Sequence, residues 1–467
     1  MSRHDFMWPL GFMLSVSLLG LHFYPALLII LAILLNRWRQ NRYDFAIMTF
    51  IFFGSYGLTR DSVIGIKLYD LGLMASLFCL VIIRKPPVIA KAVALWIMLV
   101  LMMFLIARQS WESMGVQIYT MRGYWGFIAF AIPLAAFGNH KFDADTFFRR
   151  MMVYVLLMCI FYIIDAFILK GTLLIAGNFR WDMRTSLFYK PLIEPFAFKI
   201  MRIYPYGLYI AALAIIPIAR LYRLRAWMWG LIVLASIATL TFTYIIALCA
   251  CLILFQPSRK LILKVAGSIA GILVLAYVAD CFLPMRSTEV GEMSTLRIKS
   301  SVDQIGALTK AVDDEDVAQF ASGRLAQAMP KVELIEFYNK EAVGLGFIHP
   351  ELTKSVKFIV TNEYYTDVSR SEEVATAVEV APVQVYIHMG WIGLIGLNLF
   401  FLGIYLIIRK LRYSSVYLAA LLYCFILGLG GFASLATYQG VSIIGVAFAI
   451  VVLANRPSLP GFAESKV

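Results

Sequence analysis

The chain has 467 residues, of which 61% are hydrophobic and only 15% charged, with a mean hydropathy of +0.81. A soluble domain carries about a quarter charged residues, so a single water-facing globule is excluded and lipid is the expected solvent for most of this surface. The net charge of +13 is unevenly spread: residues 284–383 hold 16 of the 28 acidic and 10 of the 41 basic side chains, a balance of −6 that leaves +19 elsewhere. A basic excess beside apolar runs is a topology signal, and no nucleic-acid partner is expected.

A bilayer-spanning helix needs about 20 apolar residues. In chain order, the first candidates come as tight pairs, 7–21 with 24–35 and 46–59 with 71–83. The first run starts beside Arg3 and ends at no A-x-A-like site, so it reads as a retained span. Runs follow at 92–107, 123–138, 151–169, 206–219 and 265–283, with a further pair at 227–241 and 243–255. The run 385–408 and the pair 415–431 and 440–454 close the series. The expected fold is an all-α polytopic membrane protein of about 12 to 14 transmembrane helices. Cys79, Cys159, Cys249, Cys251, Cys281 and Cys424 all lie in or beside these runs with no CxxC pair, so they read as small packing residues.

Orientation follows from six basic clusters: Arg37, Arg39 and Arg42; Arg84, Lys85 and Lys91; Lys141, Arg149 and Arg150; Arg220, Arg223 and Arg225; Arg259, Lys260 and Lys264; Arg409, Lys410 and Arg412. Short cytoplasmic loops collect such charges, so any two clusters should be separated by an even number of crossings. That parity makes 227–255 a hairpin of two short helices and puts both termini in the cytoplasm. The resulting layout is N-terminal helices over 1–169, an outer basic loop 170–205, helices 206–283, a large outer segment 284–383, C-terminal helices 384–454 and a cytoplasmic tail 455–467.

The outer loop carries Lys170, Arg180, Arg184, Lys190, Lys199 and Arg202 against Asp182 and Glu194, a local +4 on the side usually depleted of cations. Guanidinium forks grip phosphate oxygens, which suits a lipid pyrophosphate; equally, a long loop escapes the topology rule and its arginines snorkel to headgroups. The second outer segment begins polar, and its run Asp313, Asp314, Glu315 and Asp316 reads as a solvated face. It continues as SGRLAQAMPKVELIEFYNKEAVGLGF. Leu325, Ala328, Met329, Val332, Ile335 and Tyr338 recur there at helical spacing, with Arg324 at the start, Pro330 forcing a kink or late start, and Gly344 and Gly346 ending the helix. The last span opens on GWIGLIG, whose Gly390, Gly393 and Gly396 suit close helix contact.

The order SGR, amphipathic helix, VGLGF, a variable stretch and then GWIGLIG resembles the O-antigen ligase and polymerase superfamily of Wzy-type polymerases and WaaL-type ligases. The hairpin and span over 227–283 fit the same layout. The resemblance implies a helical fold related to the GT-C glycosyltransferases. It also implies transfer of a glycan from undecaprenyl pyrophosphate to a sugar hydroxyl, with no metal or cofactor, at the outer face of a bacterial inner membrane. Expected partners are the undecaprenyl-pyrophosphate-linked oligosaccharide, membrane lipids and a chain-length regulator. Arg324 matches the family's SGR arginine and Arg202 the arginine before a span in the first large loop. Both would hold the pyrophosphate and offset leaving-group charge, with Arg180, Arg184 and Lys331 as further donor-binding cations.

Two positions depart from the family pattern. The hairpin turn reads Thr241, Phe242, Thr243, Tyr244, without the arginine of a T-G-S-R turn. The ligase His-Asn position is occupied by Glu379 and Val380, which tilts the reading from ligase to polymerase. Glu379 could act as general base for the acceptor hydroxyl, or be an ordinary loop acid. His349 and His388 are the neighbouring histidines, and His388, one turn into a span, reads as a packed or interface residue. Competing classes are a lipid-linked oligosaccharide transporter and a non-catalytic assembly or sensor subunit. A carrier should have repeats and acids facing a central path, whereas Asp165 and Asp280 sit near predicted outer ends.

Overall fold

The computed structural model describes residues 3–20, 23–54, 62–63, 66–83, 87–108, 113–138, 140–164, 226–238, 267, 332, 335–347, 381–410 and 438–455. Apart from a two-residue antiparallel ladder, β1 (Ser62–Val63) on β2 (Ile66–Lys67), the regular structure among them is helical. The helices are α1 (Arg3–Gly20), α2 (Pro25–Gln40), α3 (Arg42–Gly54), α4 (Leu68–Ile82), α5 (Val88–Ile106) and α6 (Met114–Met121). A 3-10 helix η1 (Arg122–Phe130) then leads into α7 (Ala131–Phe137), followed by α8 (Ala144–Ile164), α9 (Ala226–Ala238), α10 (Ala381–Arg409) and α11 (Tyr438–Ala454).

Three stretches, Val88–Ile106, Ala144–Ile164 and Pro382–Arg409, are long and apolar enough to cross a membrane, and Phe6–Leu19, Leu68–Ile82 and Val441–Ala454 are shorter apolar helices. α5 explains why lipid is the fitting solvent. Ile89, Val93, Trp96, Val100 and Met103 are buried at alternating three- and four-residue steps, a single stripe against the protein. The opposite face is just as apolar, with Leu95 67% and Leu105 73% exposed. A helix hydrophobic all round belongs to a core or a bilayer, and an exposed apolar face selects the bilayer. α4 repeats the pattern, burying Tyr69, Leu73, Ser76 and Cys79 while Val81 is 84% exposed. Cys79 and Cys159 are free, buried thiols, as their apolar setting led one to expect.

Two ends of the bundle differ in chemistry. At one, the last turn of α2, the first turn of α3 and the first turns of α8 meet on Asp44, which receives Arg150 Nη1 at 3.0 and 2.9 Å and lies 3.9 Å from Arg37. The Tyr43 hydroxyl accepts from Asp143 N at 3.0 Å at the same end. Asp143 caps α8: its carboxylate accepts from the Thr146 hydroxyl at 2.6 Å and from the Asp145 and Thr146 amides. The Thr146 hydroxyl bond is the largest of the influences that hold this carboxyl below the usual range.

The run 123–138 is realised as η1 plus α7. It is short for an α-helical span, but a 3-10 helix rises about 2.0 Å per residue against 1.5 Å, so the two together reach roughly 28 Å, close to the thickness of a hydrocarbon core. Phe127 of η1 sits at the centre of the core, 5.0 Å from the Phe400 ring and 6.2 Å from Trp96 and Phe448. Gly445 of α11 allows η1 this close, since a Cβ there would lie 2.5 Å from the Phe127 carbonyl oxygen. α10 runs antiparallel to α5, with Gly396 against Leu99 and Phe400 on Trp96 at 5.5 Å.

Candidate functional site

The end of the bundle opposite Asp44 holds the site. α3 ends there with Phe53 against Gly72 of α4, and the ladder β1–β2 delivers Lys67 to the mouth of α4. α6 starts on Ser113, whose Oγ accepts from Val116 N at 3.3 Å, and carries Tyr119 and buried Gln117 to the same place. The switch to 3-10 geometry at Arg122 then aims that guanidinium across the end of α4. Arg122 is ion-paired with Asp70, and its Cζ lies 4.2 Å from the centre of the Tyr119 ring. Lys67 Nζ donates to the Tyr119 hydroxyl at 2.7 Å and lies 3.9 Å from the same ring centre. Asp70 in the first turn of α4 is also favoured by the helix dipole. Below this layer the Tyr69 and Ser442 hydroxyls converge over Gly126, where a Cβ would come within 3.0 Å of both.

Two residues along η1, the buried Tyr124 hydroxyl makes a 2.7 Å hydrogen bond with His388 Nδ1, and the Phe347 ring lies 5.6 Å from Tyr124 and 5.7 Å from His388. Trp96 Nε1 donates to the Tyr124 carbonyl at 3.1 Å. His388 is 3% exposed, the packed histidine expected of its place in the span. Tyr124→Phe keeps the ring and deletes one buried hydrogen bond. It is expected to cost about 1 kcal/mol, read as a drop of about one degree in the melting temperature of detergent-solubilised protein.

The motifs VGLGF and GWIGLIG are brought together. The helical turn at Ile335–Phe337 ends in a Schellman motif: Asn339 is left-handed (φ 50°), Lys340 N donates to Ile335 O at 2.9 Å, and Asn339 N to Glu336 O at 2.9 Å. This stop comes five residues before Gly344, where the sequence placed it, because Asn tolerates the left-handed conformation. Ile335 is buried as its stripe predicts, whereas Tyr338 at the cap is half-exposed. The chain then turns onto α10, which is broken at Gly390 (φ 59°, ψ −158°). Leu345 N donates to Ile387 O at 2.7 Å, while Trp391 N and Ile392 N donate to Glu341 O and Ala342 O at 2.8 and 3.1 Å. The amides and carbonyl freed by the break are thus satisfied by the Glu341 and Ala342 carbonyls and the Leu345 amide, so the broken backbone keeps its hydrogen bonds.

Arg180, Arg184, Arg202, Arg324, Lys331 and Glu379 lie outside the described residues. Lys67, Asp70, Tyr119 and Arg122 were not anticipated. Their signal was available: Asp70 and Arg122 abut the apolar runs 71–83 and 123–138 on the side where parity puts the outer loops. The 52-residue gap between them conceals the pairing. Among the described residues no three His, Cys, Asp or Glu groups stand close enough to hold a metal ion. No protein-family model matches this sequence, and no curated protein matches it.

Proposed function

We propose that this chain is a Wzy-type polymerase that joins undecaprenyl-pyrophosphate-linked oligosaccharide units into a surface polysaccharide (O-antigen, capsule or exopolysaccharide) at the periplasmic face of a bacterial inner membrane. The observation that carries the reading is the backbone clasp between 341–345 and 387–392. It unites the two halves of the motif order on which the resemblance rests, at the end of the bundle away from Asp44. The orientation draws support from the opposite end, where Arg37 and Arg150 share Asp44. Two of the basic clusters thus lie together, as a common cytoplasmic side demands. In the proposed topology of about 12 to 14 spans, both termini are cytoplasmic, and the clasp and the helix headed by Arg324 face the periplasm. The fold is in this reading related to the GT-C glycosyltransferases, with 284–383 as its large outer segment.

In the proposed reaction the acceptor sugar hydroxyl attacks the anomeric carbon of the donor. The bond from that carbon to the pyrophosphate oxygen breaks, and undecaprenyl pyrophosphate leaves with the electron pair. Arg324 and Arg202, with Arg180, Arg184 and Lys331 nearby in the outer segments, offset the charge on the leaving group. Glu379, two residues ahead of α10, takes the hydroxyl proton. The decisive experiment is Arg324→Ala in the native host. Polymer should stop at a single repeat unit on the acceptor while membrane insertion is retained; full-length polymer would remove Arg324 from the mechanism. Bare lipid core with free lipid-linked chains would identify a ligase instead. Labelling of an engineered cysteine at Gly323 from the cytosolic side only would end the glycan-transfer reading.

A further inference from the structure

We propose that Lys67, Tyr119 and Arg122 form a seat for the phosphate of an anionic membrane lipid, whose hydrocarbon chain lies along the outer face of α4. This seat does not depend on the glycan-transfer reading; it needs only that the helices sit in a bilayer.

The first observation is the charge arrangement. Two cations are held against one aromatic ring, Lys67 Nζ at 3.9 Å and Arg122 Cζ at 4.2 Å from its centre, and a single carboxylate, Asp70, pairs with Arg122. Among the described residues Lys67 meets no carboxylate at ion-pairing distance; its partner is the Tyr119 hydroxyl. Like charges gathered at the edge of a low-dielectric bundle repel one another, and an anion between them reverses the sign of that interaction. The second is an unfilled donor: Arg122 Nε is buried without a hydrogen-bond partner among the described residues. A phosphate oxygen is the acceptor that a guanidinium fork suits best.

The third observation selects a lipid over a soluble anion. Lys67 heads α4, and Leu71, Met74 and Phe78 follow it at steps of four, three and four residues, on one helical face. All three are exposed, Phe78 by 69%. An apolar stripe thus runs away from the cationic pair towards the middle of the bilayer. A phosphate at the seat with a chain down that stripe matches polar to polar and apolar to apolar along one helix. A free phosphate would use only the top of it.

The test uses the full-length chain in a neutral detergent, followed by native mass spectrometry with dioleoyl phosphatidylglycerol, dioleoyl phosphatidylcholine or inorganic pyrophosphate added. Wild-type protein should retain one phosphatidylglycerol saturably, in preference to phosphatidylcholine. Lys67→Gln should lower that retention about tenfold, the weight of one charge-assisted hydrogen bond. Lys67→Arg, which restores the charge, should recover it at an unchanged melting temperature. Equal retention by wild type and Lys67→Gln overturns the seat, as does failure of Lys67→Arg to recover binding. Pyrophosphate held as tightly as the lipid, and weakened equally by Lys67→Gln, overturns the lipid assignment.

Discussion

Gly390→Ala is expected to lose roughly 4–6 kcal/mol of stability, enough to empty the folded fraction of a marginal protein. Three effects act together. Gly390 occupies φ 59° and ψ −158°, a region essentially closed to residues with a Cβ, and forcing alanine into it costs of order 1–3 kcal/mol. The added carbon would also land 2.4 Å from the carbon and oxygen of the Ala342 carbonyl, backbone atoms that cannot step aside as a side chain would. Moving them breaks the Trp391–Glu341 and Ile392–Ala342 bonds, each worth about 1 kcal/mol. Gly344→Ala should behave alike, since its Cβ would lie 2.6 Å from the amides of Met389 and Gly390. The control is Gly403→Ala in the same helix, where a Cβ meets nothing within 4 Å and helix propensity favours alanine by up to about 1 kcal/mol. Monodisperse yield and melting temperature of the three variants in detergent check the contrast. A Gly390→Ala protein as stable as Gly403→Ala would mean the clasp does not hold the two motifs together.

That clasp also marks what the sequence could and could not convey. Small residues at 390, 393 and 396 announce a close approach, and Gly396 does admit Leu99. Their spacing carries no information about dihedral angle, so the break at Gly390 and its union with VGLGF are invisible to a periodicity argument. Runs such as 92–107 and 151–169 gave α5 and α8 because apolar length in a bilayer leaves a chain little choice but helix. The run 123–138 is legible as an apolar helical stretch, but its 3-10 winding is not, since hydrophobicity is the same whichever way the backbone coils. The ends of helices were the least legible. Asn339 stops the turn at Ile335–Phe337 through a backbone hydrogen-bond pattern that either glycine further on could also have supplied. Pairing across long gaps was hidden for a different reason. Asp70 with Arg122, and Asp44 with Arg150, are each legible as charges beside an apolar run, but only packing decides which partner each carboxylate meets.

Asp44→Ala is the second substitution with a large expected effect, a loss of about 3–5 kcal/mol. The carboxylate is 1% exposed and joins three helices: Arg150 Nη1 of α8 contacts both its oxygens, Arg37 of α2 approaches to 3.9 Å, and its own helix α3 begins two residues earlier. Arg37 is fixed from other directions as well, with Nη2 donating to Gln40 Oε1 at 2.7 Å and its guanidinium 4.1 Å over the Trp8 ring. Removing the carboxylate therefore leaves two guanidinium groups near one another at the edge of an apolar bundle, with the Arg37 side chain only 8% exposed. The penalty comes from that residual charge more than from the lost attraction, so a double-mutant cycle separates the two. Arg150→Met alone should be severe for the converse reason, because it leaves Asp44 buried with only Arg37 at 3.9 Å and the neutral Tyr154 hydroxyl to offset its charge. The combined Asp44→Ala, Arg150→Met protein should recover part of the loss, with a coupling energy of about 1–3 kcal/mol in melting experiments. Strict additivity of the two single changes would mean that the pair is solvated and that α2, α3 and α8 are fastened by apolar packing alone.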